Sequence, residues 1–276
     1  MRVIKSALVA LLLVMAVDAG AAMAREPETD GGVKIGRASL LRKLVSAEKL
    51  ERTAELQYAD LTQKASAKNA LLPESHPQVQ RLRNIADRLL PFAAKFNERA
   101  KDWKWKVSVI NSKMINAFCM PGGKIAFFTG IVEKLQLTDD EAAMVMGHEI
   151  AHALREHARA RAAKSTLTNV GVLAVGILVG GNYGELARLG GGLMNLKFSR
   201  NDETEADLVG MELAARAGYD PRAGVTLWEK MSATAKKAPP AWFSTHPSRA
   251  SRVETIKANL KDVMPLYDKA KASLPH

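Results

Sequence analysis

The stretch Thr138-Asp139-Asp140-Glu141-Ala142-Ala143-Met144-Val145-Met146-Gly147-His148-Glu149-Ile150-Ala151-His152 decides how this chain is read. Thr138 with Glu141 three residues later forms a capping box, and Asp139 and Asp140 place negative charge at the positive end of a helix dipole. A helix therefore starts here. Ala142, Val145, Ile150, Ala153 and Leu154 give it an apolar stripe, and Arg155, Arg159 and Arg161 suit its C-terminal end. His148 and His152 lie one turn apart and project from one face, so both imidazoles can reach a single ion. Glu149 points off that axis, where a carboxylate meets a water beside the ion and not the ion itself. Zinc suits such a site, because it accepts nitrogen and oxygen ligands and tolerates an open position.

Two histidines do not complete a catalytic zinc site, which needs a third protein ligand. The segment Ser199-Arg200-Asn201-Asp202-Glu203-Thr204-Glu205-Ala206-Asp207 offers one. On a helix Glu203 and Asp207 share a face and Glu205 points the other way. Glu203 is read as the ligand and Asp207 as the group that holds a ligand histidine, His148, by its second ring nitrogen. Periodicity alone describes a solvated acidic helix face at least as well.

Working outward, Trp105 to Ile110 alternates and is rich in β-branched residues, which reads as a strand. Met114 to Met120 and Lys124 to Thr129 read as two more, joined by the turn Pro121-Gly122-Gly123. The expectation is a small antiparallel sheet directly before the metal-binding helix, with Lys124 to Phe128 as an edge strand able to pair with substrate backbone. Before the sheet, Ala38 to Asn69 and Gln78 to Ala100 carry helical periodicity, the second divided at Pro91. After the catalytic helix, Val170 to Gly181 is apolar and Gly-rich. As a helix it would reach only about 18 Å against a hydrocarbon core of roughly 30 Å, so it does not span a bilayer. It reads as a buried helix beside the site, or else as a lid or a segment touching a membrane surface. Ser199 to Ala217 reads as a helix, another starts at Asp220-Pro221, and a last one runs from Ser248 to about Leu260.

The first residues look like an address. Arg2 and Lys5 precede an apolar run from Ala7 to Val17, and Ala22-Met23-Ala24 offers a cleavage site, so export with cleavage after Ala24 is expected. No cysteine follows that run, which argues against a lipid anchor. Cys119 is the only cysteine, so the fold rests on packing and metal, not on disulfides. The net charge of +11 is spread along the chain. With export, that pattern speaks against nucleic acid as a partner and for a solvated basic surface.

Several motifs together carry a resemblance. Asn116-Ala117-Phe118, Pro121-Gly122-Gly123-Lys124-Ile125, Thr129-Gly130, Asp139-Asp140-Glu141 and His148-Glu149-Ile150-Ala151-His152 are followed by Ser199-Arg200-x-x-Glu203-x-x-Ala206-Asp207, Gly218-Tyr219-Asp220-Pro221 and Ser244-Thr245-His246-Pro247-Ser248. In this order they resemble the HtpX/BepA/Oma-type zinc metallopeptidases, most closely their exported bacterial branch. The resemblance implies an α+β, predominantly helical, zincin-like fold and one Zn2+ per chain. It implies His148, His152 and Glu203 as metal ligands, Glu149 as catalytic base and Asp207 behind a ligand. It adds His246, which in relatives is thought to cover the zinc at rest or to assist the transition state. The implied activity is hydrolysis of internal bonds in unfolded or misassembled envelope polypeptides in the periplasm; an exported holdase with a structural or latent zinc site is the rival. The expected organisation is a signal peptide at 1–24, a disordered lead-in at 25–36, a helical scaffold at 37–104, a peptidase domain at 105–262 and a loose tail at 263–276.

Overall fold

The computed structural model describes residues 31–170, 197–235, 240–246 and 250–273. The expected signal peptide and most of the 170–181 segment lie outside them. Three strands, β1 (Lys106–Ile110), β2 (Ala117–Met120) and β3 (Lys124–Phe128), form one sheet. Its order is β1-β3-β2, with β2 antiparallel and β1 parallel to β3. The sheet is thus mixed, not wholly antiparallel, and β3 is its centre, not its edge. The reason lies in composition. Lys124 to Phe128 is buried along its whole length, as a strand covered on both faces must be. The segment 111–116 crosses the end of β3, tied by Gly130 N–H to Ser112 O at 2.8 Å, and carries β2 to the far side. In the β2–β3 turn Gly122 and Gly123 have φ of 80° and 79°, and a Cβ on Gly123 would meet the Trp105 ring at 2.7 Å. Only glycine fits there.

Helix α1 (Ala47–Ala67) covers one sheet face through Leu50, Ala54 and Tyr58, packed with Met120 and Ala126. The Tyr58 hydroxyl donates to Ile125 O at 2.9 Å. A separate 3-10 turn, Leu40–Leu44, precedes α1 where one continuous helix was expected. The other face meets α2 (Pro77–Leu89), which starts with proline at its first turn and ends before Pro91 in 3-10 turns. A short helix α3 (Thr129–Lys134) follows β3 directly.

Helix α4 (Asp139–Leu154) has the expected capping box, with both bonds made. It is not an amphipathic surface helix: Glu141 through Leu154 are all buried. Small residues at 142, 143, 147, 151 and 153 let neighbours approach from every side. It ends at Arg155, and Glu156 turns the chain with φ 56° into α5 (His157–Val170). Helix α6 (Arg200–Arg216) crosses α4 and is itself capped by Ser199 with Asp202. Then come α7 (Ala223–Ala235), a 3-10 turn at Ala241–Ser244, and α8 (Ala250–Ala272).

The chain ends differ from expectation. The last helix continues to Ala272 through Pro265, because Val263 and Leu266 are buried against the core; residues 263–272 are not a loose tail. Residues 31–36 have no regular structure but are held: Val33 N–H donates to Glu212 Oε2 at 2.8 Å, and Val33 and Ile35 pack on the core.

Candidate metal centre

The site forms where α4 and α6 cross with their backbones in contact. A Cβ on Gly147 would lie 2.7 Å from Gly210 O, and one on Gly210 would lie 2.6 Å from His148 N. This paired absence of side chains brings the first turn of α6 over the histidine face of α4. The Nε2 atoms of His148 and His152 are 3.1 Å apart. Glu203 stands across from both, with Oε2 3.6 Å from His148 Nε2 and Oε1 3.4 Å from His152 Nε2. His246, two residues past the 3-10 turn, places Nδ1 3.3 Å from His148 Nε2 and 3.0 Å from Glu203 Oε1. All four side chains are buried, and their donor atoms lie within 4.8 Å of one another.

This geometry fits a zinc ion. Ligands held about 2.0–2.2 Å from a tetrahedral centre stand about 3.3–3.6 Å from one another. The donor separations just given run close to that range. The electrostatics agree. Burial lowers the His152 imidazole well below its usual pKa and His246 to about 4, so both are neutral. Burial would raise Glu203, but its hydrogen bonds with His152 and His246 outweigh that and hold it far below the usual carboxylate range. Neutral imidazoles around an ionised carboxylate are the protonation state a divalent cation requires.

Glu149 is the odd member. Burial, and then the charge of Glu203, push its carboxyl well up. Among the described residues its Oε1, 3.7 Å from His246 Nε2, has no hydrogen-bond partner of normal geometry, and the Trp242 indole N–H, which faces the carboxyl and tempers the rise, makes none either. Unsatisfied buried polar groups are uncommon, and they mark where a reacting molecule can be received.

Behind the donors, Asp207 Oδ1 meets His148 Nδ1 at 3.0 Å, as expected. Glu205 is turned away from the donors and takes Arg155 Nε at 2.8 Å. Sequence reading missed Arg252. Its guanidinium donates to Glu203 Oε2 at 2.6 Å and to both oxygens of Asp207, and it lies over the Trp228 ring at 3.7 Å. Nothing local in the sequence marks this arginine, near the start of a long basic helix, as buried. Phe198, also missed, stacks on His152 with ring centroids 3.9 Å apart. A cleft leads to the donors between β2 and α1. Glu149, His152 and His246 line it together with Leu50, Trp103 and Phe118. Cys119 also lines it, with its thiol pushed well up by burial.

Comparison with known proteins agrees with this picture. The chain is 36% identical over 171 residues to the mitochondrial metalloendopeptidase OMA1 of Arabidopsis thaliana, covering 61% of this chain and 34% of that protein. It is 34% identical over 191 residues to the OMA1 of Schizosaccharomyces pombe, covering 68% and 54%. It is 31% identical over 172 residues to the beta-barrel assembly-enhancing protease of Escherichia coli, covering 57% and 35%. The chain thus spans about a third to a half of the length of these relatives. The model of peptidase family M48 matches residues 77–260, from the start of α2 into α8. The chain belongs to peptidase family M48.

Proposed function

We propose that this chain is a zinc metalloendopeptidase acting on unfolded or misassembled polypeptides of the cell envelope, exported to the periplasm after cleavage at Ala24. The observation that carries the reading is the convergence of His148, His152 and Glu203 beside the buried Glu149, whose Oε1 is left free. Bound zinc would polarise the scissile carbonyl and lower the pKa of the attacking water to about 7. Glu149 takes the proton from that water and returns it to the leaving amine. Burial and the Glu203 charge raise its carboxyl pKa, which favours holding the proton it has taken until the amine leaves. Asp207 fixes the His148 ring, and Arg252 fixes Glu203 and Asp207 together. His246 Nδ1, 3.3 Å from His148 Nε2 and 3.0 Å from Glu203 Oε1, would be able to serve as a further ligand and so cover the metal in the absence of substrate. Once turned out toward substrate, the same ring would donate to the developing oxyanion.

Substrate backbone would pair with β2, which is an edge of the sheet and lines the cleft. Strand pairing needs an extended chain, which favours unfolded segments. The barrel-assembly role in the name of the Escherichia coli relative supports an envelope substrate. Among the described residues no helix is long and apolar enough to cross a membrane.

The test removes the base. Glu149→Gln should keep zinc and lose cleavage of an unfolded protein; full cleavage by this variant would refute the mechanism. In parallel, Glu203→Ala should fail to hold zinc by elemental analysis, whereas Glu205→Ala, given stoichiometric zinc, should still load it.

A further inference from the structure

His148 and His152 are anchored in different ways. His148 donates from its second ring nitrogen to a carboxylate, Asp207. The second nitrogen of His152 meets no carboxylate, carbonyl or hydroxyl among the described residues. It faces another imidazole: His157 Nδ1 lies 3.0 Å from His152 Nδ1. His157 is buried, and its other nitrogen, Nε2, lies 3.3 Å from Glu205 Oε2. That same oxygen accepts from Arg155 Nε at 2.8 Å, and Arg155 also donates to Gly36 O at 2.5 Å.

The direction of these bonds follows from proton counting. A His152 that offers Nε2 to a metal carries its proton on Nδ1 and must donate from there. At 3.0 Å the facing His157 Nδ1 must then accept, so the His157 proton is on Nε2 and donates to Glu205. Each atom in the row has one role and each role is filled. The local fold explains the placement. Helix α4 ends at Leu154, and the left-handed turn at Glu156, directly before His157, folds that ring back toward His152.

We infer that His157 and Glu205 are positioning residues for the metal centre, a carboxylate–imidazole relay that fixes the tautomer and orientation of His152. The inference rests on the zinc reading above and deepens it. It also gives Glu205, which the spacing of the acidic segment leaves outside the site, a part in building it. His157 is not itself a ligand: it stands on the Nδ1 side of the His152 ring, away from the donors.

The experiment measures zinc affinity by competition with a chelator at neutral pH, with melting of the metal-free proteins alongside. It compares wild type, His157→Leu, His157→Gln and Glu205→Ala. His157→Leu should weaken zinc binding by about 10- to 100-fold, the usual cost of losing a group that orients a ligand. His157→Gln should recover most of the loss, because its amide accepts through oxygen and donates through nitrogen across a similar span. Glu205→Ala should weaken binding several-fold, and it keeps the test decisive if the leucine variant does not fold. In the zinc-loaded wild type the His152 Nδ1 proton should be protected from exchange, and in His157→Leu that protection should be lost. Zinc affinity unchanged in His157→Leu or in Glu205→Ala overturns the inference. So does a glutamine variant no better than leucine, because the loss would then be one of packing. A wild type that binds no zinc, or a His152→Ala variant that binds it as well as wild type, overturns the metal reading itself.

Discussion

Gly210→Ala puts the crossing of α4 and α6 to the test. The added methyl would lie 2.6 Å from His148 N and 2.7 Å from Gly147 C. Ordinary contact begins near 3.4 Å, so the helices must separate by roughly 0.8 Å, and both atoms met are backbone that cannot swing aside. Overpacking of this kind costs about 1–3 kcal/mol, while alanine for glycine inside a helix returns about 1 kcal/mol. The metal-free protein should therefore lose only about 0–2 kcal/mol in urea unfolding. Zinc affinity should suffer more. Glu203 rides on α6 and the two histidines on α4, with separations of 3.1–3.6 Å among the three donors. A displacement of roughly 0.8 Å far exceeds the tolerance of about 0.2 Å for metal–ligand distances. We expect at least about a tenfold loss in a chelator competition. A variant that binds zinc as wild type does and gains the full helix-propensity increment would refute the reasoning, because the crossing would then have slack.

Arg252→Met leaves Glu203 and Asp207 buried without their shared cation and should destabilise the metal-free protein by about 3–5 kcal/mol. Added zinc should recover part of that, and Arg252→Lys should fall between, lacking the planar fork; urea unfolding with and without zinc reads both. Glu141 is buried, which alone would raise its pKa, but Lys230, the Thr138 N–H and Thr226 outweigh burial and lower it. A lowered folded pKa means stability that is full above the ordinary carboxylate value and lost as pH falls through the folded one. Glu141→Gln should therefore be less stable than wild type at pH 7, with the gap closing in acid; a gap that widens there would contradict the assignment. Deleting residues 262–276 removes buried Val263 and Leu266 and should cost about 3–5 kcal/mol. An unchanged thermal midpoint would mean that this end of α8 contributes nothing.

What could be read from the sequence tracks the range of the interaction concerned. The capping box at Thr138, the turn at Pro121-Gly122-Gly123 and the helix break before Pro91 are local chemistry, and all are found. The order of the strands is not local. Three short strands in succession suggest a meander, and only the unbroken burial of Lys124 to Phe128 distinguishes a central strand from an edge. The expectation of an edge strand there gave that apolar run too little weight. Pro265 misled in the opposite way, as a breaker inside a helix whose buried Val263 and Leu266 hold it together. Tertiary burial overrides propensity there.

The site divides along the same line. Periodicity placed His148 with His152, and Glu203 with Asp207, on common helix faces, and the fold brings the two faces together. It could not say that the faces would meet, because that depends on Gly147 opposite Gly210, a pairing 63 residues apart that no helical pattern encodes. Nor could it separate the acids by use. Glu203, Glu205 and Asp207 look alike in sequence, yet they serve different imidazoles: Glu203 lies among His246, His152 and His148, Glu205 against His157 and Asp207 against His148. An acidic cluster with imidazole partners for every member is no longer a solvated face. Arg252 binds two of the three acids into one unit. Zinc entering here would meet a cage whose ring orientations are already fixed, so little ordering remains to oppose binding. His152 reaches its carboxylate through His157, and the outer nitrogen of His246 has no hydrogen-bonded carboxylate among the described residues. That nitrogen lies 3.7 Å from Glu149 without a hydrogen bond to it, so of the four rings around the donors His246 is held by the fewest contacts on that side.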